Sequence, residues 1–463
     1  MRFIRRLLDR RPSVVVLAVC SLCAAAGASC SSSEEDGPLL PSDSLDAGAG
    51  PETSEPAVDA EVDGPPLRDA AAFDGGSRPV VCTSQPCAKS LVTTLPTMVL
   101  SGPSTIAPAE GFCALLDDGT VACWGANNDG QLGRGDDAGI TESAIPARVV
   151  GLSNIVELAH NCARSASGDV WCWGLGVYVR GDAGAYASEP APVRVPIPPA
   201  KRIGVGRLVG CAATDDGLLC WGQNAFLQID PIPRGGLLPP TPVDLPPGAP
   251  IRDVVVGDAT FVIREDGSTW SWGRSPPLGR VSSLDPDPHP APTGLAAISS
   301  LDLTNTSACA TSKGVGYCWG AIDTTGLPED YPPSPLVNAL PKPVVAPEPL
   351  VQIATTETSA TSTPSSRTVR PQRWCAVGAS GDVYCWGLNS HGQAGDGTKN
   401  HAYHAVKVEG LPAPAAEVKT MPLSTCALLT TGKVYCWGNN FYGQLGTGTI
   451  KGGSLTPQEV ALP

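Results

Sequence analysis

Among the side chains of this sequence that could do chemistry, the cysteines are the ones set out by rule. Six pairs stand nine or ten residues apart: Cys113 and Cys123, Cys162 and Cys172, Cys211 and Cys220, Cys309 and Cys318, Cys375 and Cys385, Cys426 and Cys436. A thiol can ligate zinc, act as a nucleophile or oxidise to a disulfide. Zinc needs four converging ligands in Cys-x-x-Cys or Cys–His groupings, and this spacing supplies none. No Gly-x-Ser-x-Gly, phosphate loop or His-Glu-x-x-His is present to organise a nucleophile or a metal. The histidines (His160, His289, His391, His401, His404) are scattered, and the closest two, in "KNHAYHAV", have no carboxylate beside them. Oxidation is the chemistry that remains. A related segment, "FVIREDGSTWSWG", carries Phe261 and Ser271 where the others carry cysteines, so both thiols are missing together, as a covalent pair requires. Cys82 and Cys87 form a seventh candidate pair.

What positions these pairs is a repeat. "FCALLDDGTVACWGANNDGQLGRG" at 112–135 is written almost again as "TCALLTTGKVYCWGNNFYGQLGTG" at 425–448. Trp-Gly steps fall at Trp124, Trp173, Trp221, Trp272, Trp319, Trp386 and Trp437, at intervals of 49, 48, 51, 47, 67 and 51 residues. Periods near fifty with strand-like pieces and no intervening helical pattern predict an all-β, seven-bladed β-propeller of four strands per blade, with a solenoid as the alternative. In the first copy, a loop of Asp117, Asp118 and Gly119 with Gly119 left-handed sets Cys113 opposite Cys123 and Leu115 opposite Val121. Ala114, Ala122 and Trp124 then point to the other side. Both faces are apolar, which a blade packed between two others satisfies. Directly opposed residues lie near enough for a disulfide, within copies and never between them. Asp117, Asp118, Asp215, Asp216 and Asp266 fall at turn positions and read as turn formers. The spacing of a sialidase Asp-box is not met.

Composition agrees with this reading. Gly (52) and Pro (47) are abundant and aromatics are 5%, which suits short strands and turns. The N-terminus, residues 1–29, reads as an export signal: a basic "MRFIRRLLDRR", then an apolar run ending in small residues. Arg5 and Arg6 lack the rest of a twin-arginine motif, and disulfide chemistry favours export unfolded with oxidation afterwards. "GASC" resembles a bacterial lipobox, with Gly27 where that family usually has Leu. The resemblance implies cleavage before Cys30 and a diacylglycerol on its thiol; simple secretion and an uncleaved anchor are the alternatives. Residues 30–80 read as a disordered acidic tether: 31–78 holds twelve acidic residues against Arg68 and Arg78, a balance of −10 out of the chain's −14. The acidity therefore describes the tether. No basic face points to nucleic acid.

The line Cys-Ala-Leu-x-x-Asp-Gly-x-Val-x-Cys-Trp-Gly-x-Asn-x-x-Gly-Gln-Leu-Gly resembles the repeat of the regulator of chromosome condensation family, in a secreted bacterial, cysteine-bearing form. The resemblance runs over roughly residues 95–463 and implies a seven-bladed propeller, placed here at 81–463. The family's nuclear founder exchanges nucleotide on a small GTPase and binds nucleosomes, partners absent outside a bacterial membrane. A secreted relative that covers β-lactamase with one propeller face supplies a precedent for protein binding. Fold carries over further than function.

The repeat breaks in two places. The 67-residue interval contains "TTETSATSTPSSRTVRPQR", residues 355–373, at a place where the first and second copies are expected to need only a short turn between strands. It carries Arg367, Arg370 and Arg373 with no acidic residue after Glu357, a candidate loop for an anionic partner. "DPIPRGGLLPPTPVDLPPG", residues 230–248, is a second, Pro-rich excursion. The expectation is a monomeric envelope protein, anchored only by lipid, on the outer membrane (periplasmic side or cell surface). It would bind a protein or polysaccharide, with no cofactor, no metal and no catalytic residue. A degenerate propeller hydrolase or lyase acting on polysaccharide, and a structural envelope component, are the alternatives. Carboxylates or arginines gathered at the channel mouth would separate the hydrolase from the binder.

Overall fold

The computed structural model describes residues 75–95, 109–135, 141–182, 184, 186–322, 336–356, 359–363, 366–370 and 373–463. The expected signal peptide, Cys30 and residues 30–74 of the expected tether lie outside them. Among the described residues there is no helix, and none therefore long and apolar enough to cross a membrane.

Seven four-stranded antiparallel sheets follow one another along the chain as the blades of a propeller. Blade 1 comprises Ala88–Thr93, Gly111–Leu116, Val121–Gly125 and Ser143–Arg148, taken from the axis outward. The innermost strands of blades 2 to 7 are Ile155–Ala159, Ala200–Val205, Ile251–Val256, Ile298–Leu303, Leu350–Thr355 and Ala415–Thr420. Each touches the inner strand of the next blade, and the last touches the first, which closes the ring. Because strand direction alternates, connections between first and second strands and between third and fourth strands share one axial end, here the loop end. Turns between second and third strands, and links from one blade to the next, share the other, the turn end.

The hairpin register is the expected one: Cys113 opposes Cys123, Leu115 opposes Val121 and Ala114 opposes Ala122. Gly119 takes φ 74°, and Asp118 Oδ1 accepts the Thr120 N–H at 3.0 Å and its hydroxyl at 2.6 Å, fastening the turn. All seven cysteine pairs are disulfides. The six hairpin bonds join Cα atoms 4.1 Å apart, close to the narrow spacing of a non-hydrogen-bonded antiparallel pair. In blade 4, Phe261 faces Ser271, whose hydroxyl donates to Leu278 O at 2.7 Å.

Alternation gives each blade a tryptophan face and an opposite face, which carries the disulfide in every blade but the fourth. Cys113, Leu115, Val121 and Cys123 of blade 1 pack with Ala163 and Trp173 of blade 2. Phe112, Ala114 and Trp124 pack against Cys426, Leu428 and Cys436 of blade 7. Burying one such indole contributes on the order of 2–3 kcal/mol. The indole N–H also reaches into the preceding blade: Trp124 donates to Gln444 O, Trp173 to Gln131 O, Trp272 to Gln228 O and Trp437 to Gln393 O, at 2.9–3.0 Å. The Asn-x-x-Gly-Gln-Leu-Gly segment shapes that acceptor, since Asn127 Oδ1 accepts Leu132 N and Asn440 Oδ1 accepts Leu445 N. The glycine after Trp124 takes φ 106°, and a Cβ there would stand 2.5 Å from Glu110 O.

Two expected excursions resolve differently. Residues Leu237–Val243 of the Pro-rich stretch are the outermost strand of blade 3, where prolines remove donors that an edge does not need. Within 355–373, Ser359–Thr363 and Ser366–Arg370 pair as a separate two-stranded hairpin between the first two strands of blade 6. A second long connection, residues 94–110, joins the same pair of strands in blade 1, so the short turn expected in the first copy is not what the chain uses there; the second copy passes from Ala159 to Cys162 by a short turn.

Candidate functional site

The inner strands surround an axial cavity of about 670 Å³, a volume in the range of small-ligand pockets. Its walls are strand edges whose backbone N–H groups have no partner within the sheet, and side chains of the neighbouring blade supply one. The third residue of an inner strand does this repeatedly. Glu157 Oε1 accepts Ile203 N at 3.2 Å, Gln352 Oε1 accepts Val418 N at 3.0 Å, and Glu417 Oε2 accepts Leu91 N at 3.0 Å. Gln352 also donates to Val418 O at 3.0 Å, so its amide pairs with blade 7 as another strand would. The third position is polar in all seven blades, and that signal could have been read once the inner strands were aligned.

The channel does gather carboxylates. Glu157 is paired with Arg164 at 2.6 Å and Asp253 with Arg252 at 2.8 Å. Asp302 accepts Thr355 N at 2.7 Å, and burial raises its pKa while the Lys419 charge opposes the rise. Lys419 Nζ lies 3.2 Å from Glu417 Oε1. Burial disfavours the ammonium, yet Glu417 and Asp302 hold its pKa above the usual value. Just past the inner strand of blade 2, His160 adopts φ 50° and its Nδ1 donates to Thr93 O of blade 1 at 2.9 Å. Burial, aided by the charge of Lys419, pushes its pKa down to about 4, so the ring is neutral at pH 7. Glu157 and Glu417 are wall ties between blades, and Asp302 has an altered acidity. Among the described residues no His, Cys, Asp and Glu grouping could hold a metal. His401 packs its ring on Tyr403, 4.5 Å between centroids.

The candidate arginines separate. Arg367 and Arg370 lie in the second strand of the inserted hairpin, at the loop end. Arg373 does not belong with them. It begins the next strand of blade 6, is 1% exposed, and donates to Met421 O at 3.0 Å, Gln393 O at 3.1 Å, Ser424 O at 2.6 Å and Thr425 Oγ1 at 2.5 Å. A guanidinium spent on carbonyls of its own blade and the next cannot meet an outside partner.

Comparison with known proteins agrees with the geometry. The sequence matches the Regulator of chromosome condensation (RCC1) repeat at residues 118–160, 375–393 and 424–444. It is an RCC1-like repeat protein. It is 28% identical over 365 residues to the ultraviolet-B receptor UVR8 of Arabidopsis thaliana, covering 74% of this chain and 78% of that one. It is 25% identical over 195 residues to the human E3 ubiquitin-protein ligase HERC2, covering 40% of this chain but only 4% of that protein. Yeast RCC1 (Prp20), solved with Kap60, superposes with a TM-score of 0.57 at 19% identity, over 73% of this chain and 83% of that one. Human WBSCR16 gives 0.56 at 18% identity, over 74% and 95%. These structural likenesses concern the RCC1-like fold alone.

Proposed function

We propose that this RCC1-like propeller is a membrane-tethered, extracytoplasmic binding module whose working surface is the loop end. In this reading residues 1–29 are the export signal, Cys30 carries the lipid, and 30–80 form the acidic tether before a propeller at 81–463. The observation that carries it is the placement of entry and elaboration at opposite ends. The chain joins the propeller at the turn end, where Arg78 donates to Ala379 O and Val81 N to Thr430 O. The long connections 94–110 and 356–372 both belong to the loop end. A tether leaving the turn end presents the loop end to solvent and partners. Seven disulfides support an oxidising compartment. Yeast Prp20 is described with Kap60 bound and with binding to Gsp1p and histones, which supports protein recognition as a use of the fold; the partners here are a protein or an anionic polysaccharide.

Two experiments test this. Replacing Cys30 by Ser should release the protein from the membrane fraction or leave an uncleaved precursor; normal processing and membrane association would remove the anchor from the reading. For the loop end, the full chain in detergent is immobilised and offered envelope extract and an anionic polysaccharide such as polygalacturonate. Replacing 357–372 by a four-residue turn should leave the blades folded and lower salt-sensitive retention through the loss of Arg367 and Arg370. Undiminished retention at low salt would place binding elsewhere.

The hydrolytic reading rests on Asp302, whose raised pKa suits an acid. Polysaccharide cleavage abolished by Asp302→Asn in a folded protein would favour it; no cleavage of any offered glycan would leave binding alone.

A further inference from the structure

The segment that leads into blade 1 is held like a strap across three blades. Arg78 Nε and Nη2 donate to Ala379 O of blade 6 at 3.2 and 3.1 Å. Val81 N and Ala88 N donate to Thr430 O and Gly432 O in the turn of blade 7, both at 2.8 Å. Asp117 N of blade 1 donates to Cys87 O at 2.9 Å, and Gln85 Nε2 to Asp117 Oδ2 at 3.2 Å. Two of these, blades 7 and 1, flank the one junction that no peptide bond crosses. Ser77, Arg78, Pro79 and Val80 also line the axial cavity at this end.

One disulfide lies inside the strap, between its two anchors on blade 7, and its environment differs from the rest. Both cysteines of all six hairpin pairs are buried, at 0–4% exposure. Cys87 is equally buried, but Cys82 is half-buried and open to solvent. Thiol–disulfide exchange needs an attacking thiolate to reach one sulfur in line with the bond, so burial shields the six and leaves Cys82 as the sulfur that can be reached.

We propose that Cys82–Cys87 is a redox modification site, a substrate for a dithiol oxidoreductase of the Cys-x-x-Cys class, and that its reduction unlatches the strap from the turn end of the channel. A thiolate of the reductant attacks Cys82 Sγ, the Sγ–Sγ bond breaks, and Cys87 leaves as a thiolate and takes up a proton. The reductant's second thiol then attacks the mixed disulfide, which leaves Cys82 as a thiol and the reductant as a disulfide. Two electrons and two protons pass from the dithiol to the pair. The short covalent loop between Val81 and Ala88 becomes open chain, and the entropy it regains weakens the hydrogen bonds on both sides of it. The proposal does not depend on which partner the loop end binds.

The experiment treats the oxidised full chain with a small Cys-x-x-Cys oxidoreductase, kept reduced, under native conditions. Alkylated cysteines are mapped and backbone amide exchange is followed. Cys82 and Cys87 should be labelled at least about tenfold faster than any hairpin cysteine. Exchange at the Val81 and Ala88 amides should accelerate by at least about tenfold, while amides of the blade hairpins stay unchanged. The double variant Cys82→Ser/Cys87→Ser should show the same acceleration without reductant. A hairpin pair opening as fast as Cys82–Cys87 would overturn the site. Val81 and Ala88 amides unchanged in both the reduced protein and the double variant would overturn the latch.

Discussion

Glu110 and Arg373 take hold of the same residue, Ser424, from the two sides of blade 7. The Glu110 carboxylate accepts the Ser424 hydroxyl at 2.5 Å and the Leu423 N–H at 2.6 Å, and Arg373 donates to Ser424 O at 2.6 Å. Burial raises the pKa of Glu110 against the pull of these donors and of the Arg373 charge. Burial also draws Arg373 down to about 9, with Glu110 opposing, so the guanidinium is still charged at neutral pH. Blades 6, 7 and 1 are thereby joined through one serine by side chains, where the ring has to close without a covalent link.

Removing the guanidinium takes a donor from Met421 O, Gln393 O and Ser424 O and leaves the buried Glu110 without the nearby positive charge. Arg373→Met should cost about 3–5 kcal/mol of stability, read from urea unfolding of the oxidised protein. Arg367→Ala and Arg370→Ala, in the inserted hairpin, should each stay within about 0.5 kcal/mol. Equal effects at all three would contradict the buried placement of Arg373.

The indole N–H of Trp173 donates to Gln131 O at 2.9 Å, a carbonyl that Asn161 Nδ2 also reaches at 2.8 Å. Trp173→Phe should lose about 1–3 kcal/mol through the missing bond and the smaller ring. Combining Asn161→Ala with Trp173→Phe should show non-additivity, because both donors share one acceptor. Strictly additive losses would mean that the two donors do not act on one seam.

His160 gives the fold a pH dependence of definite sign. Its pKa is about 4 folded against about 6.5 unfolded. The unfolded chain therefore binds more protons below pH 6.5, and stability falls as pH drops from about 6.5 to about 4, by roughly 2–3 kcal/mol from this residue. His160→Asn suits the left-handed backbone and removes the titration, so its stability should change less across that interval. Parallel curves for the two proteins would show that the ring is not buried neutral.

Blade 4 dispenses with its disulfide by setting Phe261 opposite Ser271. Replacing Cys113 and Cys123 together by alanine should cost about 2–3 kcal/mol, since the closed loop is short, and leave the propeller folded. Loss of the native fold on removing this one pair would mean that the bond determines the register rather than reinforcing it.

The ring and its register were legible because Trp-Gly steps and cysteine pairs recur in every copy or vanish in pairs, and spacing fixes both. The seam was not. Glu110 stands alone between Ala109 and Gly111, and only the closure of a ring brings it to Ser424. Arg373 looked like the end of a basic loop because the strand that begins with it carries its cysteine only two residues later. The connection 94–110 leaves no trace in the spacing of Trp-Gly steps, because blade 1 begins before its first one. The channel carboxylates Glu157, Asp302 and Glu417 sit in short strands with no motif of their own, and what they do depends on the blade next door.

Every blade of this propeller is a contiguous stretch of chain, including the first and the last. The repeat is therefore also the unit that can be gained, lost or reordered without cutting a sheet. Each blade-to-blade link at the turn end is an equivalent place for the chain to begin. A circular permutant opened at 244–250, between blades 3 and 4, with the present ends joined, would turn the present seam into an ordinary covalent link. The new opening would then lack the Ser424 clasp and the strap, and the permutant's ring would part there first.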